Sequence, residues 1–149
     1  MNQLDERAQI LHRLRRYLQQ QRDRFLCYLQ LLEQENTVIR AGDVDRLQHH
    51  VELEQMIIAD ILTFQRAIDP LEELYRHAYP NQESSIVNLK SRLQQIREQA
   101  LIRNEENRRL LQDRLESLRL EMKEVRRRGK PPVSPYAQLG EPTLVDIRS

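Results

Sequence analysis

The sequence predicts an all-α protein: an elongated antiparallel bundle of three long helices, with a short extra helical turn near 71–79 and an extended C-terminal tail. Three observations lead there. Aromatics are 5% of the 149 residues and charged residues 32%, in a chain rich in Leu, Gln, Glu and Arg, the profile of long helices. Helix breakers are confined: the six prolines fall at Pro70 and Pro80 and then at Pro131, Pro132, Pro135 and Pro142, and the three glycines at Gly42, Gly129 and Gly140. Between those breaks, apolar residues recur with helical periods. The hydrophobic share of 39% suits a slim bundle with one buried stripe per helix rather than a thick core.

The first helix is expected over residues 4–40. Leu4, Leu11, Leu18, Phe25, Leu32 and Ile39 recur every seven residues, Leu14 and Tyr28 take the companion position, and Gln21 and Glu35 interrupt it. A sustained seven-residue repeat favours gently supercoiled packing against partner helices. At 1.5 Å per residue this helix is roughly 55 Å long. Gly42 is placed to end it in the left-handed conformation, and Asp43 to cap the next helix.

The second helix is expected over residues 44–68, with Val44, Leu47, Val51, Ile58, Ile61 and Ile68 as its stripe and Glu54 and Gln65 as polar intrusions. Pro70 then ends it or starts the short turn that closes at Pro80. Ser84 or Ser85 can cap the third helix, over residues 86–128. Its period is different. Leu89, Ala100, Leu111 and Met122 are eleven apart, as are Leu93, Asn104 and Leu115, and Ile96, Asn107 and Leu118. An eleven-residue repeat keeps a nearly straight stripe. Asn104 and Asn107 fall on it, where they either set register inside a bundle or wait on a face for a partner. Residues 1–128 thus form the bundle and 129–149 the tail, whose X-Pro steps hold the chain extended.

Chemistry is sparse. His49 and His50 are adjacent and point to different helix faces, so they do not share a metal at helical spacing. His12 and His77 read as surface histidines, and Cys27 as a partly buried structural thiol without a local activating group. No glycine-rich phosphate loop is present, so neither an enzyme nor a bound cofactor is expected. The net charge of +1 provides no global field for nucleic acid or acidic membranes. The cluster Arg126-Arg127-Arg128 suits a helix C-terminus, where cations meet the exposed carbonyls. No apolar run approaches the ~20 residues of a membrane span, and the N-terminus lacks a signal-peptide layout. A cytoplasmic location is expected.

One surface invites a partner. If the second and third helices pair, the third is longer, and its face from Leu111 through Leu115, Leu118 and Met122 to Val125 either extends past its partner or is covered by the first helix.

The stretch FLCYLQLLEQENTVIRAGDVDRLQHHVELEQMIIADI, with Glu35, Gly42-Asp43, Leu47 and the apolar run after Glu54, resembles the core of the FlgN family of flagellar export chaperones. Asn104-x-x-Asn107 followed by Leu110-Leu111 resembles the asparagine-rich stretch of that family's last helix, and Tyr136 ahead of Gly140 its C-terminal tail. The sequence departs from the family at Glu54, where a lysine is common. The resemblance implies a cytoplasmic chaperone of type III export that binds the C-terminal helical region of hook–filament junction proteins. It would prevent their premature assembly and deliver them to the cytoplasmic domain of the membrane export gate. Client binding would fall to Asn107, Leu111, Leu115, Leu118, Met122 and Val125, and gate binding to Tyr136, Leu139 and Gly140. Two other readings predict different architectures or behaviour: a FliJ-type coiled-coil regulator of the export ATPase, which should be an almost unbroken two-helix hairpin, and a self-associating structural scaffold.

Overall fold

The computed structural model describes residues 2–129. It is an all-α three-helix bundle, with α1 over Gln3–Ala41, α2 over Val44–Ala78 and α3 over Ser84–Arg127. Among the described residues no helix is long and apolar enough to cross a membrane.

The ends of α1 follow from local chemistry. Asn2 caps it, its Oδ1 accepting the Leu4 N–H at 2.6 Å, and Asp5 and Glu6 sit in the first turn where the dipole favours anions. At the other end Gly42 takes φ 70°, a conformation that costs an L-residue about 1–2 kcal/mol. Its N–H donates to Ile39 O at 3.2 Å. Asp43 then caps α2, its Oδ1 accepting the Arg46 N–H at 3.1 Å. The Gly-Asp reading of the sequence therefore holds atom by atom.

The end of α2 differs from expectation. Pro70 does not stop the helix at Ile68, and no separate turn forms at 71–79; α2 continues through Pro70 to Ala78. A proline inside a helix forfeits one hydrogen bond and crowds the preceding turn, at about 3 kcal/mol. Here Ile68, Leu71 and Tyr75 are all buried in one core cluster, and continuing the helix keeps them on a single stripe. Tertiary burial outweighs the local preference. The helix ends instead at Ala78, ahead of a turn in which Gln82 adopts φ 55° and the Glu83 N–H donates to Tyr75 Oη at 2.6 Å. Contrary to the sequence expectation, neither serine caps α3. Ser84 and Ser85 lie in its first turn, Glu83 O accepts the first helical N–H groups, and Ser85 Oγ accepts from Arg15 Nη2 at 3.0 Å.

The described chain divides into two compact units. Unit 1 comprises residues 1–29 and 56–100. Its core holds Leu14, Leu18, Phe25, Ile61, Ile68, Leu71, Tyr75, Ile86, Leu89, Leu93 and Ile96. Within it α1 and α2 run antiparallel: Arg7 lies 4.7 Å above the Tyr79 ring, and Gln21 meets Ile61. Unit 2 comprises residues 30–55 and those from 101 onward. Its apolar cluster is smaller, with Val38, Ile39, Leu47, Leu111 and Leu115 buried and Val44, Val51, Leu110 and Leu118 packed on them.

One smaller expectation is corrected. Cys27 is exposed rather than partly buried, because Phe25 and Tyr28 take the inward positions on that turn of α1. His50 is buried, while His49 beside it faces solvent, as adjacent helical positions require.

Candidate functional site

The polar residues that interrupt the apolar stripes find one another across the helices. In unit 1, Gln21 is buried and its Nε2 donates to Ile61 O at 3.2 Å and to Gln65 Oε1 at 2.9 Å. The two glutamines that break the stripes of α1 and α2 are thus each other's partners. A buried amide met in this way avoids the cost of an unmade hydrogen bond.

Unit 2 contains the larger set. Glu35 from α1, His50 and Glu54 from α2, and Asn104 and Asn107 from α3 are all buried, with Glu35 and Glu54 fully so. Asn107 ties α3 to α1. Its Nδ2 donates to Leu32 O at 2.7 Å and to Glu35 Oε1 at 3.1 Å, and its Oδ1 accepts from Asn36 Nδ2 at 3.2 Å. Three hydrogen bonds to one turn of α1 can be made in only one axial register, so Asn107 fixes how α3 lies on α1.

The Glu35–Glu54 pair is the unusual element. Two carboxylates enclosed together cannot both stay ionised without a compensating cation. Burial, a hydrogen bond to Glu35 and the Glu35 charge push the Glu54 carboxyl up to about 10, so Glu54 is a neutral acid at pH 7. A protonated Glu54 can donate to Glu35, which as a carboxylate can only accept. His50 is held below its ordinary value, chiefly by burial; the Glu35 charge opposes this, and Arg46 and His49 reinforce it. Among the described residues no group of three or more His, Cys, Asp or Glu side chains is placed to hold a metal ion.

The face expected to receive a client is only partly open. Asn107, Leu111 and Leu115 are internal to unit 2, where Val38 and Ile39 of α1 and Leu47 of α2 cover the two leucines. They do not form a free docking face. The reason is the α1–α2 corner, which lies alongside this stretch of α3, as Arg114 Nη2 reaching Arg40 O at 3.5 Å also shows. Leu118 is half-buried against the same cluster, and Met122 and Val125 are half-buried. Leu120, which lies off the eleven-residue stripe and was not legible as a site residue, is 60% exposed. Tyr136, Leu139 and Gly140 lie outside the described residues. The C-terminal arginines take their local role: Arg127 and Arg128 both pair with Glu124, at 2.8 and 3.1 Å.

No family model and no solved structure matches the chain. Over 121 residues it is 36% identical to a protein of Treponema pallidum (strain Nichols) described as an uncharacterized protein, an alignment covering 80% of this chain and 77% of that one. At that identity and coverage the chain belongs to the family of this Treponema pallidum protein.

Proposed function

We propose that the chain is a cytoplasmic export chaperone of the FlgN type, acting by binding rather than by catalysis. Its clients would be the C-terminal helical regions of hook–filament junction proteins, kept from premature assembly and handed to the export gate. One observation carries the reading: α3 continues to Arg127 past Leu115, its last buried side chain among the described residues, and still carries Met122 and Val125 on one face. Apolar side chains on a helix end that no buried core claims form a surface for an amphipathic partner helix. The residues behind the family resemblance also support it, since Glu35, Leu47, Glu54, Asn104 and Asn107 all lie buried in unit 2.

The break between Ala78 and Ser84 speaks against an unbroken two-helix hairpin and so against the FliJ-type reading. Delivery to the gate would rest on Tyr136, with Leu139 and Gly140 beside it.

The test is calorimetric titration of the full chain with C-terminal segments of the junction proteins from the same cell. The double substitution Met122→Asp and Val125→Asp touches no buried residue, so the thermal melt should stay put. Affinity should drop more than tenfold, since burying each such side chain contributes about 1.5–3 kcal/mol. Equal affinity for both proteins sinks the client assignment. Separately, Tyr136→Ala should leave client binding intact and weaken binding to the gate's cytoplasmic domain; an unaltered gate affinity removes the tail from the mechanism.

A further inference from the structure

The first three turns of α2 are held to the bundle in an unusual way. Between residues 44 and 55 Leu47 is the one buried apolar side chain, with Val44, Val51 and Leu53 half-buried. The other buried side chains of that stretch are His50 and Glu54. Later in the same helix, Ile61, Ile68, Leu71 and Tyr75 are all buried in unit 1. Apolar burial therefore secures the later part of α2 and barely secures its start. At its N-terminal edge the segment is joined to α1 through Gly42, in the left-handed conformation, and Asp43.

What faces Glu54 decides how the segment is retained. From α1 the titratable group is Glu35, with neutral Asn36 beside it on Asn107. From α2 it is His50, which feels Glu35, Arg46 and His49. From α3 the buried residues at this level are Asn104 and Asn107, neither of which titrates. Among the described residues no buried Lys or Arg neutralises the two acids. Written as carboxylates, Glu35 Oε2 and both Glu54 oxygens have no hydrogen-bond partner among the described residues, nor does His50 Nδ1. A single proton shared by the two acids supplies the missing donor and removes the like-charge repulsion.

We propose that the Glu35–Glu54 pair is a proton-held latch: with one proton on the pair, residues 44–55 stay closed on α1 and α3, and loss of that proton releases them. Release carries Val44, Leu47 and Val51 away and uncovers Val38, Ile39, Leu111 and Leu115, which are apolar and otherwise enclosed. The latch is a property of the free chain and does not rest on the proposed client binding.

The proton is bound in the closed form and lost in the open one. Closure is therefore complete at low pH and weakens as pH rises from the ordinary carboxyl value of 4.5 toward about 10. The opening constant grows by up to about tenfold per pH unit in that window. His50, held low, adds an opposite slope only where pH falls below its ordinary 6.5. Above that value Glu54 acts alone.

Hydrogen exchange of the full chain between pH 6.5 and 9, corrected for the intrinsic exchange rate, reads the latch directly. Amides of residues 44–55 should lose protection with rising pH, while those of residues 61–75 in the same helix keep theirs. Glu54→Gln, which mimics the protonated acid, should raise protection in 44–55 and abolish its pH slope. Glu35→Gln should end the slope at a lower pH, because Glu54 no longer faces a charge while burial still raises it, and it serves if the first variant misfolds. His50→Gln should leave the slope above pH 6.5 in place. A pH slope unaltered in both glutamine variants overturns the latch, as does wild-type protection of 44–55 that is independent of pH.

Discussion

Asn107 shows how much one side chain can decide. Its amide makes three hydrogen bonds to a single turn of α1, two of them to backbone or carboxylate acceptors that no solvent reaches. Asn107→Ala leaves Leu32 O and Glu35 without that donor, and denaturant unfolding should show a loss of about 1–3 kcal/mol. A change below half a kcal/mol would mean that the register is set elsewhere. Glu54 works in the other direction. Its carboxyl is held in the neutral form by burial beside Glu35, so at pH 8 the folded chain must retain a proton that the unfolded chain gives up. Stability lost in this way amounts to up to about 1.4 kcal/mol per pH unit above the ordinary carboxyl range. Glu54→Gln should therefore melt higher than wild type at pH 8 and differ little at pH 5. The reverse order would show that the pair is not protonated.

At the scale of the element, the periodic patterns proved reliable and the punctuation less so. The seven-residue series of α1 is buried at Leu18, Phe25, Leu32 and Ile39, while the side chain of its first member, Leu4, is exposed. The eleven-residue series of α3 is buried from Leu89 to Leu115, asparagines included. Pro70 failed as a stop signal because the residues on either side of it share one core. Pro70→Ala should restore a backbone hydrogen bond without disturbing that core. The expected gain is about 2 kcal/mol, the helix-interior cost of proline less the chain entropy that proline removes from the unfolded state. A lower melting temperature for Pro70→Ala would mean that a proline-bent α2 is required for packing.

At the scale of the molecule, stability is distributed unevenly. Unit 1 has an extensive apolar cluster and one satisfied pair of glutamines. Unit 2 has a smaller apolar cluster and two buried acids, a histidine and two asparagines. Its resistance to opening depends on proton balance where that of unit 1 depends on apolar area. The whole chain should accordingly lose thermal stability as pH rises above 6.5, where the contribution of Glu54 is unopposed; between 4.5 and 6.5 His50 and Glu54 pull in opposite directions and the profile should flatten. A melting temperature constant from pH 6.5 to 9 contradicts this.

The sequence by itself determined the three helices, the faces that they bury and the Gly42–Asp43 corner, because those depend on local propensity and on periods of seven and eleven residues. It also marked the residues that did not fit those periods: Gln21, Gln65, Glu35, Glu54, Asn104 and Asn107. What it could not assign was their partners, since a hydrogen bond between Asn107 and Leu32 joins residues 75 positions apart. Only the tertiary structure decided that Gln21 meets Gln65, that Glu54 faces Glu35, and that the α1–α2 corner covers Leu111 and Leu115 while Leu120 stays open. Periodicity reports which side of a helix turns inward. Which residue waits on the other side depends on the axial register between helices, and that is set by contacts between segments far apart in the chain.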